Sequence, residues 1–355
     1  MKLVLTLLVR DEADIIDAHL AFHLNLGVDL VIATDHDSQD GTTEILEAYA
    51  REGYVRRISE CRALREVEWR TRMARLAYVD HHADWVINAD ADQFWWPRCG
   101  DLREVLLSIP ERFGVVRAID RVFIPRPDDG AHFAERMTHR LSTSDAINAP
   151  ASTYRPLARV IHRGDPEVTV SLGNHAISGT RLVVLQNWHP IEVLHFPWRS
   201  PGQMARKARH FVDAGSRHAT VYHAEAHRAF EEHRLQDHYA SLAVDDRSFE
   251  IGLADGVIVT DTRLRDLLRF LAGRSELREQ REQFTLTPST AGLPLRRPTP
   301  EDDAAYAAEA AGLRDADVVR ARRVADRLER RIAALETRKS RGRSHGPAPT
   351  ELSDA

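Results

Sequence analysis

Acidic residues follow three apolar segments of the chain, at the point where each segment ends. Scattered surface charge would not be confined to such positions, so the pattern indicates a site at one edge of a sheet. Hard divalent cations such as Mg²⁺ and Mn²⁺ bind carboxylates together with phosphate oxygens and water. The pattern therefore favours binding of a metal-bridged diphosphate. The acids are Glu12 after Leu3–Val9, Asp35 and Asp37 after Val28–Thr34, and Asp90 and Asp92 after Trp85–Ala89.

One histidine in the second half of the chain is a candidate to complete this site. His195 ends an apolar segment and precedes Pro197, so its imidazole is predicted to leave the sheet at the same edge as the acids. It is either a metal ligand, which would favour Mn²⁺ over Mg²⁺, or a structural residue at a strand end. A ligand must be neutral, so activity is predicted to fall as the pH drops through about 6.5.

Strands and helices alternate in the first half of the chain. This alternation predicts an open, mostly parallel α/β sheet whose ligands bind at the carboxyl ends of the strands. Asp40 is predicted to cap the second helix. The predicted strands are 3–9, 28–34, 54–58 and 85–89, and the longest predicted helices are 12–26 and 65–82.

The pattern loosens after residue 110. A strand is predicted over 115–124, a long functional loop over 125–166, short strands over 167–172, 181–187 and 191–196, and helices within 201–244 and 261–272. The predicted units are a nucleotide-sugar-binding half (1–110), an acceptor and metal-completing half (111–215), a helical extension (216–284), a linker (285–312), an amphipathic Arg-rich helix (313–340) and a disordered tail (341–355).

The 313–338 segment has apolar residues that step by three and four, which predicts either self-association as a coiled coil or packing against the domain.

Composition excludes several classes of protein. The 355 residues carry a net charge of −5, which argues against a globally basic nucleic-acid binder. The two cysteines, Cys61 and Cys99, cannot form a disulfide framework, and no segment has the roughly 18 apolar residues of a membrane span. These features predict a cytoplasmic protein, either free or held at the inner surface of a membrane.

Three motifs in the first half resemble a known family. LLVRDEADII, ATDHDSQDGT and INADADQF are similar to the N-terminal motifs of glycosyltransferase family 2 and its GT-A-fold relatives, best in the lineage with a D-x-D-E-F box and a later H-[FY] element. The resemblance covers roughly residues 1–215. It implies hexosyl transfer with inversion, from a nucleoside-diphosphate sugar to an acceptor hydroxyl, with Mn²⁺ or Mg²⁺.

The same resemblance implies roles for individual residues. Gln93 and Asp11 depart from the family pattern, which often has Glu and Asn at these positions. The implied roles are nucleoside or other donor contacts for Glu12, Asp35 and Asp37, metal and diphosphate binding for Asp90 and Asp92, metal ligation for His195, phosphate contacts for Arg199, Ser200 and Lys207, and a catalytic part for His175 and Asp92.

Several features of the reaction stay open at this stage. A UDP-sugar donor is expected, and the acceptor is a glycan, a lipid-linked molecule or a small molecule. The general base is not identified; Asp145, Asp165 and His175 are candidates. A nucleotidyltransferase is the enzymatic alternative, although no Gly-rich phosphate loop follows the first strand. A non-catalytic nucleotide- or sugar-binding protein is the alternative from another class.

Overall fold

The structure of the protein is a computed structural model. It describes residues 1–62, 64–142, 158–186, 188–213 and 221–278, with shorter segments between 284 and 332. These shorter segments are 284–287, 292–295, 299–300, 302–304, 306–308, 310–311, 325 and 328–332.

Twelve strands and ten α-helices lie within the described residues up to 278, and further helical residues are found at 302–304, 306–308 and 328–332. The strands are β1 Leu3–Val9, β2 Leu30–Asp35, β3 Val55–Ser59, β4 Trp85–Asp90, β5 Gln93–Pro97, β6 Val115–Val122, β7 His139–Leu141, β8 Ala158–Arg163, β9 Thr169–Val170, β10 Ile177–Ser178, β11 Ile191–His195 and β12 Ile258–Thr260. The helices are α1 Ile16–Asn25, α2 Thr42–Arg51, α3 Glu66–Val79, α4 Leu102–Leu107, α5 Phe133–Arg136, α6 Pro201–Asp213, α7 Val221–Glu231, α8 Leu235–Leu242, α9 Asp246–Ala254 and α10 Arg263–Ala272.

Eight strands form one central sheet in the order β3-β2-β1-β4-β8-β6-β11-β5. β1 pairs in parallel with both β2 and β4, and its apolar residues are buried on both faces, as expected for a central parallel strand. The chain moves outward from β1 on one side and then returns to add β4 on the other. This reversal is a topological switch point, where open α/β sheets bind their ligands. The predicted α/β class with a mostly parallel sheet is confirmed.

The central sheet curls. Only Ala91 and Asp92 separate β4 from β5, yet three other strands lie between these two in the sheet order. A two-residue connection spans only about 10 Å, so the sheet must bend round to bring its far edge back to the end of β4. The bend places β11, which pairs with β5 in antiparallel fashion, next to the turn that carries Asp92.

The outer edge of β5 pairs with no further strand among the described residues. A side chain of α1 accepts a hydrogen bond from its backbone instead. The Trp95 backbone N–H donates to His23 Nε2 at 3.1 Å, and His23 Nδ1 donates to the His19 carbonyl at 2.8 Å. The aromatic sequence after Asp92 is therefore a buried edge strand, which the sequence analysis did not predict.

Other predicted elements differ from the structure. The predicted loop over 125–166 contains α5, β7 and β8, and residues 181–186 form no strand beyond an isolated bridge at Val184. Gly41 is the N-cap residue of α2, with a φ of 102°, because Asp40 lies one residue too early; its carboxylate accepts the Thr42 N–H instead. α9 and β12 were not predicted.

The C-terminal part of the described chain wraps round the sheet domain. Within the predicted linker, Leu286, Leu293 and Leu295 pack against the main core, and Asn25 of α1 bonds Thr285 and Thr287. The predicted 313–340 helix lies mostly outside the described residues, and the tail over 341–355 lies wholly outside them. In the parts of the chain that the structure describes, no helix has the length and apolar character needed to cross a bilayer.

Candidate active site

The carboxyl ends of β1, β2 and β4 lie side by side, so the acids that follow them meet at one edge of the sheet. The backbone there adopts conformations that non-glycine residues rarely take. Asp11, Asp37 and Asn174 have φ values of 52°, 55° and 58°. Such left-handed residues cost free energy and cluster at functional sites. The predicted edge of the sheet is thus a constrained, acidic cleft at the switch point.

Asp90 ends β4 and faces a cationic side chain from α3. Arg70 Nη2 donates to Asp90 Oδ1 at 2.5 Å, and Gln93 Nε2 donates to Oδ2 at 2.8 Å. Arg70 is also held by Glu66, one turn earlier on the same helix, at 2.9 Å. Burial alone would raise the pKa of Asp90, but Arg70 outweighs it and the pKa lies below its ordinary value. Asp90 is therefore an ionised carboxylate with both oxygens engaged by the protein.

Asp92 is the more deeply buried of the two acids. Its side chain is 2% exposed, and Lys207 of α6 donates to Oδ2 at 2.7 Å. Burial acts to raise the pKa of Asp92, but Lys207 and His195 overcome this effect and hold it well below its usual range. The same carboxylate keeps the pKa of Lys207 above its ordinary value against the effect of burial. The pair therefore stays charged across the physiological pH range.

His195 lies between two carboxylates. Its Nε2 is 3.4 Å from Asp92 Oδ1, and its Nδ1 is 3.2 Å from Asp120 Oδ1 on the neighbouring strand β6. Burial lowers the pKa of the imidazole, but Asp120 and Asp92 together raise it to about 9. In the metal-free protein the two carboxylates therefore favour the protonated imidazole, and the loss of activity near pH 6.5 stays a prediction.

Glu12 and Asp14 follow β1 and share one guanidinium. Arg199 Nη2 donates to Glu12 Oε2, and Arg199 Nε donates to Asp14 Oδ2 at 2.7 Å. Burial raises the pKa of Glu12 to about 7, and Arg199 and Lys207 only partly oppose this rise. Glu12 Oε1 accepts no hydrogen bond from the residues that the structure describes. One oxygen of a partly buried carboxyl is therefore available to a donor group on a ligand.

The two acids that follow β2 occupy different surroundings. Asp35 is buried, and its carboxylate accepts from the Ser38 N–H at 3.2 Å, from Thr43 Oγ1 at 2.6 Å and from Arg57 at 3.3 Å. These contacts fix the loop into α2. Asp37 is exposed at the tip of the same loop. The predicted nucleoside contact of Asp35 remains a prediction, and a ligand would have to share its carboxylate with three protein donors.

The three residues expected at the phosphates are placed differently from one another. Arg199 is 1% exposed, and its Nη1 donates to the Phe196 carbonyl at 3.0 Å, so each of its three side-chain nitrogens bonds within the protein. Ser200 Oγ accepts the Gln203 N–H at 3.0 Å at the start of α6. Lys207 is 30% exposed and contacts both Asp92 and the open cleft. Lys207 is thus the more exposed of the two cations, and the phosphate contacts of all three residues stay predictions.

A short turn after β9 brings His175 toward Asp90. Asn174 is buried in this turn, its Nδ2 is 3.5 Å from Asp90 Oδ1, and its Oδ1 has no hydrogen-bond partner among the described residues. His175 is exposed as a residue, but its ring nitrogens face the protein, at 3.2 Å from the Ala158 carbonyl and 3.4 Å from Arg159. Burial of the ring lowers the pKa of His175 to about 4, and the positive charge of Arg159 acts in the same direction. His175 is thus neutral.

Of the other two candidates for the general base, Asp165 does not lie at the cleft. Asp165 follows Arg163, which pairs with Trp85 at the amino end of β4, so it lies at the opposite end of the sheet from Asp90. Its carboxylate bonds Thr180 and the Glu167 N–H. Asp145 lies outside the described residues.

Several charged residues of the cleft were missed by the sequence analysis. Most of them pair with a predicted site residue or with one of its partners. Asp120 carries a signal that could have found it, because it is an acid in the otherwise buried strand β6; Asp14 is exposed and carries no such signal. The missed residues are Asp14, Arg70, Asp120, Arg159 and His210.

A divalent ion fits part of this arrangement. No three His, Cys, Asp or Glu side chains within the described ranges are grouped to hold a metal, so Asp90, Asp92 and His195 do not form the predicted trio in this arrangement. Asp92 Oδ1 and His195 Nε2 do converge, at 3.4 Å. An oxygen and an imidazole nitrogen suit Mn²⁺ when ligand oxygens and water complete the shell. Asp90 instead faces Arg70 and Gln93.

No protein-family model and no curated protein matches this chain. Solved structures are similar over part of it. S. aureus TarS 1–349 in complex with UDP-GlcNAc is 14% identical, with coverage of 62% of this chain and 69% of that chain and a TM-score of 0.33. Against the longer S. aureus TarS structure the identity is 13%, the TM-score is 0.30, and the match covers 62% of this chain and 41% of that one.

Glucosyl-3-phosphoglycerate synthase from Mycobacterium tuberculosis, in complex with Mn²⁺, UDP and glucosyl-3-phosphoglycerate, is 19% identical. That match covers 46% of this chain and 56% of that chain, with a TM-score of 0.25. A 4-diphosphocytidyl-2C-methyl-D-erythritol synthase is 12% identical over 46% of this chain and 76% of that one, with a TM-score of 0.27. At such scores, the fold class of this chain rests on its own sheet order.

Proposed function

We propose that the protein transfers a sugar from a nucleoside diphosphate to an acceptor hydroxyl, with inversion. The observation that carries this proposal is the convergence of Glu12, Asp90 and Asp92 on the switch point between β1 and β4, with Lys207 beside them. Acids there can bind nucleoside hydroxyls, and a partly exposed ammonium can meet a diphosphate. The resemblance of the three sequence motifs to family 2 supports the same activity.

Each residue has a distinct task in this proposal. Glu12 accepts a hydrogen bond from the nucleoside through its open oxygen, while Arg199 holds the other oxygen. Lys207 contacts the diphosphate and stabilises the negative charge that develops as the sugar bond breaks, which is the costly charge in this reaction. The general base is left unassigned: both ring nitrogens of His175 face the protein, and its low pKa of about 4 makes the imidazole a weak base.

Asp92 and His195 are the residues that would hold a divalent cation, Mn²⁺ in preference to Mg²⁺. When bound, such an ion neutralises charge on the leaving diphosphate. Because the metal-free imidazole is protonated up to a pH of about 9, His195 has to lose a proton before it can act as a ligand. Metal affinity is therefore expected to rise with pH.

The proposal is tested by calorimetric titration of UDP into the protein, with and without Mn²⁺. We expect UDP to bind in both cases, and more tightly with Mn²⁺, because Asp92 and His195 converge on a position next to Lys207. Incubation with UDP-sugars should then release UDP slowly by hydrolysis. Binding of UDP-sugars with no turnover in the presence of glycan, lipid-linked and small-molecule acceptors would favour a binding protein. Release of pyrophosphate from a nucleoside triphosphate would favour a nucleotidyltransferase.

A second prediction concerns the nucleoside contact. Glu12→Gln should weaken UDP binding by about 1–3 kcal/mol, because the amide cannot replace a carboxylate that accepts from both Arg199 and the ligand. Asp14→Asn is the matched control, since Asp14 pairs with the same guanidinium but is 35% exposed at the rim. Calorimetry should show a large loss for the first variant and a small one for the second. Equal losses of UDP affinity in the two variants would show that both act by displacing Arg199 and that Glu12 makes no contact with the ligand.

A further inference from the structure

The helical extension packs directly against the segment that follows β11. A separate apolar cluster joins Val122 at the end of β6, Trp198, and residues of α6, α7 and α8, including Met204 and Tyr239. Trp198 immediately precedes Arg199 in the chain. The extension therefore helps to fix the backbone of residues 196–200 by packing against Trp198.

Two side chains from different elements converge on a single backbone oxygen in this segment. Arg136 of α5 donates through Nη2 to the Arg199 carbonyl at 2.8 Å. The Tyr239 hydroxyl of α8 lies 3.2 Å from the same oxygen and 2.9 Å from the Arg126 carbonyl, and it has one proton to share between them. Tyr239 is 3% exposed. A buried carbonyl with two such donors cannot rotate without the loss of both contacts.

The side chain of Arg199 extends from this backbone to the loop after β1. Its guanidinium contacts Glu12 and Asp14, which lie more than 180 residues earlier in the chain. A shift of the Arg199 backbone would therefore move the group that orients Glu12. The contacts form a continuous path from α8, through Arg199, to the loop after β1.

We propose that Tyr239 and Arg136 are positioning residues for the nucleotide: they fix the backbone of Arg199, so that its guanidinium presents Glu12 to the nucleoside. This inference rests on the proposed function. It gives the helical extension a part in binding the nucleotide, although the extension lies outside the three sequence motifs. Tyr239 is buried against the backbone of Arg199, so its effect on a nucleotide would act through that residue.

The experiment compares Tyr239→Phe, Arg136→Lys and the double variant by calorimetric titration with UDP. Each single variant leaves one donor on the Arg199 carbonyl, so we expect an increase in Kd of about twofold to fivefold. The double variant removes the hydroxyl and the aligned guanidinium together, and its increase should exceed the product of the two single increases. Tyr49→Phe is the matched control, because the Tyr49 hydroxyl also makes a buried hydrogen bond, to Asp17 at 2.7 Å, away from the cleft.

A pH profile of UDP affinity separates positioning from general loss of stability. Glu12 faces Arg199, Lys207, Asp14 and Asp92, and displacement of Arg199 weakens the attraction that favours the ionised form. The pH at which affinity rises should therefore move upward in the double variant and stay unchanged in Tyr49→Phe. Tight UDP binding by the wild type with unaltered affinity and pH profile in the double variant would overturn the inference. Failure of the wild type to bind UDP would overturn the proposed function instead.

Discussion

Asp92→Asn is expected to reduce sugar transfer, or hydrolysis of the sugar donor, by at least about 10²- to 10³-fold. The substitution keeps the shape of the side chain but removes the charge that holds Lys207 and His195 at the proposed site. Losses of this size are typical when one preorganised electrostatic contact to a developing charge is removed. Release of UDP from UDP-sugars, measured by a coupled assay, gives the rate without knowledge of the acceptor.

The fold should survive this substitution. Asp120 still faces His195, and Glu12 still attracts Lys207, so neither cation is left alone. Asp84→Asn is the matched control, because Asp84 immediately precedes β4 at its amino end and is 53% exposed; it should retain full activity. Thermal melting of both variants reports on the fold. Full activity of Asp92→Asn, with an unchanged melting temperature, would contradict the assignment of this acid.

The stability of the metal-free protein should fall as the pH rises from 7 to 10. The pKa of His195 is about 9 in the folded protein, whereas an imidazole without charged partners, as in the unfolded chain, has a pKa of 6.5. Because the folded value is the higher one, the stabilisation is fully present below pH 6.5 and is lost as the pH rises through 9. A rise in pKa from 6.5 to about 9 corresponds to about 3 kcal/mol in the free energy of unfolding.

Chemical denaturation in EDTA at several pH values tests this expectation against His195→Gln. The difference in unfolding free energy between the wild type and the variant isolates the imidazole, since Glu12 and Lys207 titrate in both proteins. This difference should shrink by about 3 kcal/mol between pH 6.5 and pH 10. A constant difference over that range would show that His195 is neutral in the folded protein and that the two carboxylates do not act on it.

The acidic edge of the sheet could be predicted from the sequence because it depends on local signals. Apolar runs such as Leu3–Val9 identify buried parallel strands, and the acids at their ends identify the edge. The order of β3, β2, β1 and β4 then follows from short crossovers. The first half of the fold was therefore predictable together with the position of its candidate site.

The charge balance of the site could not be predicted in the same way. Arg70, Asp120 and Arg159 come from α3, β6 and β8, and their partners are fixed by the curl of the sheet and by strand register. No local pattern encodes that curl. Asp120 is an example: it lies beside His195 and helps to raise the pKa of the imidazole, and no local pattern connects the two residues.

The wrapping of the C-terminal segment round α1 has a consequence for the order of folding. Asn25 bonds Thr285 and Thr287 across some 260 residues, and the neighbouring Leu286 packs on the same core. During synthesis, the N-terminal α/β half emerges first, but this side of α1 remains uncovered until almost the whole chain has left the ribosome. Contacts of such long sequence separation form late and slow the completion of folding. The nascent protein must therefore keep an apolar surface exposed for most of its synthesis.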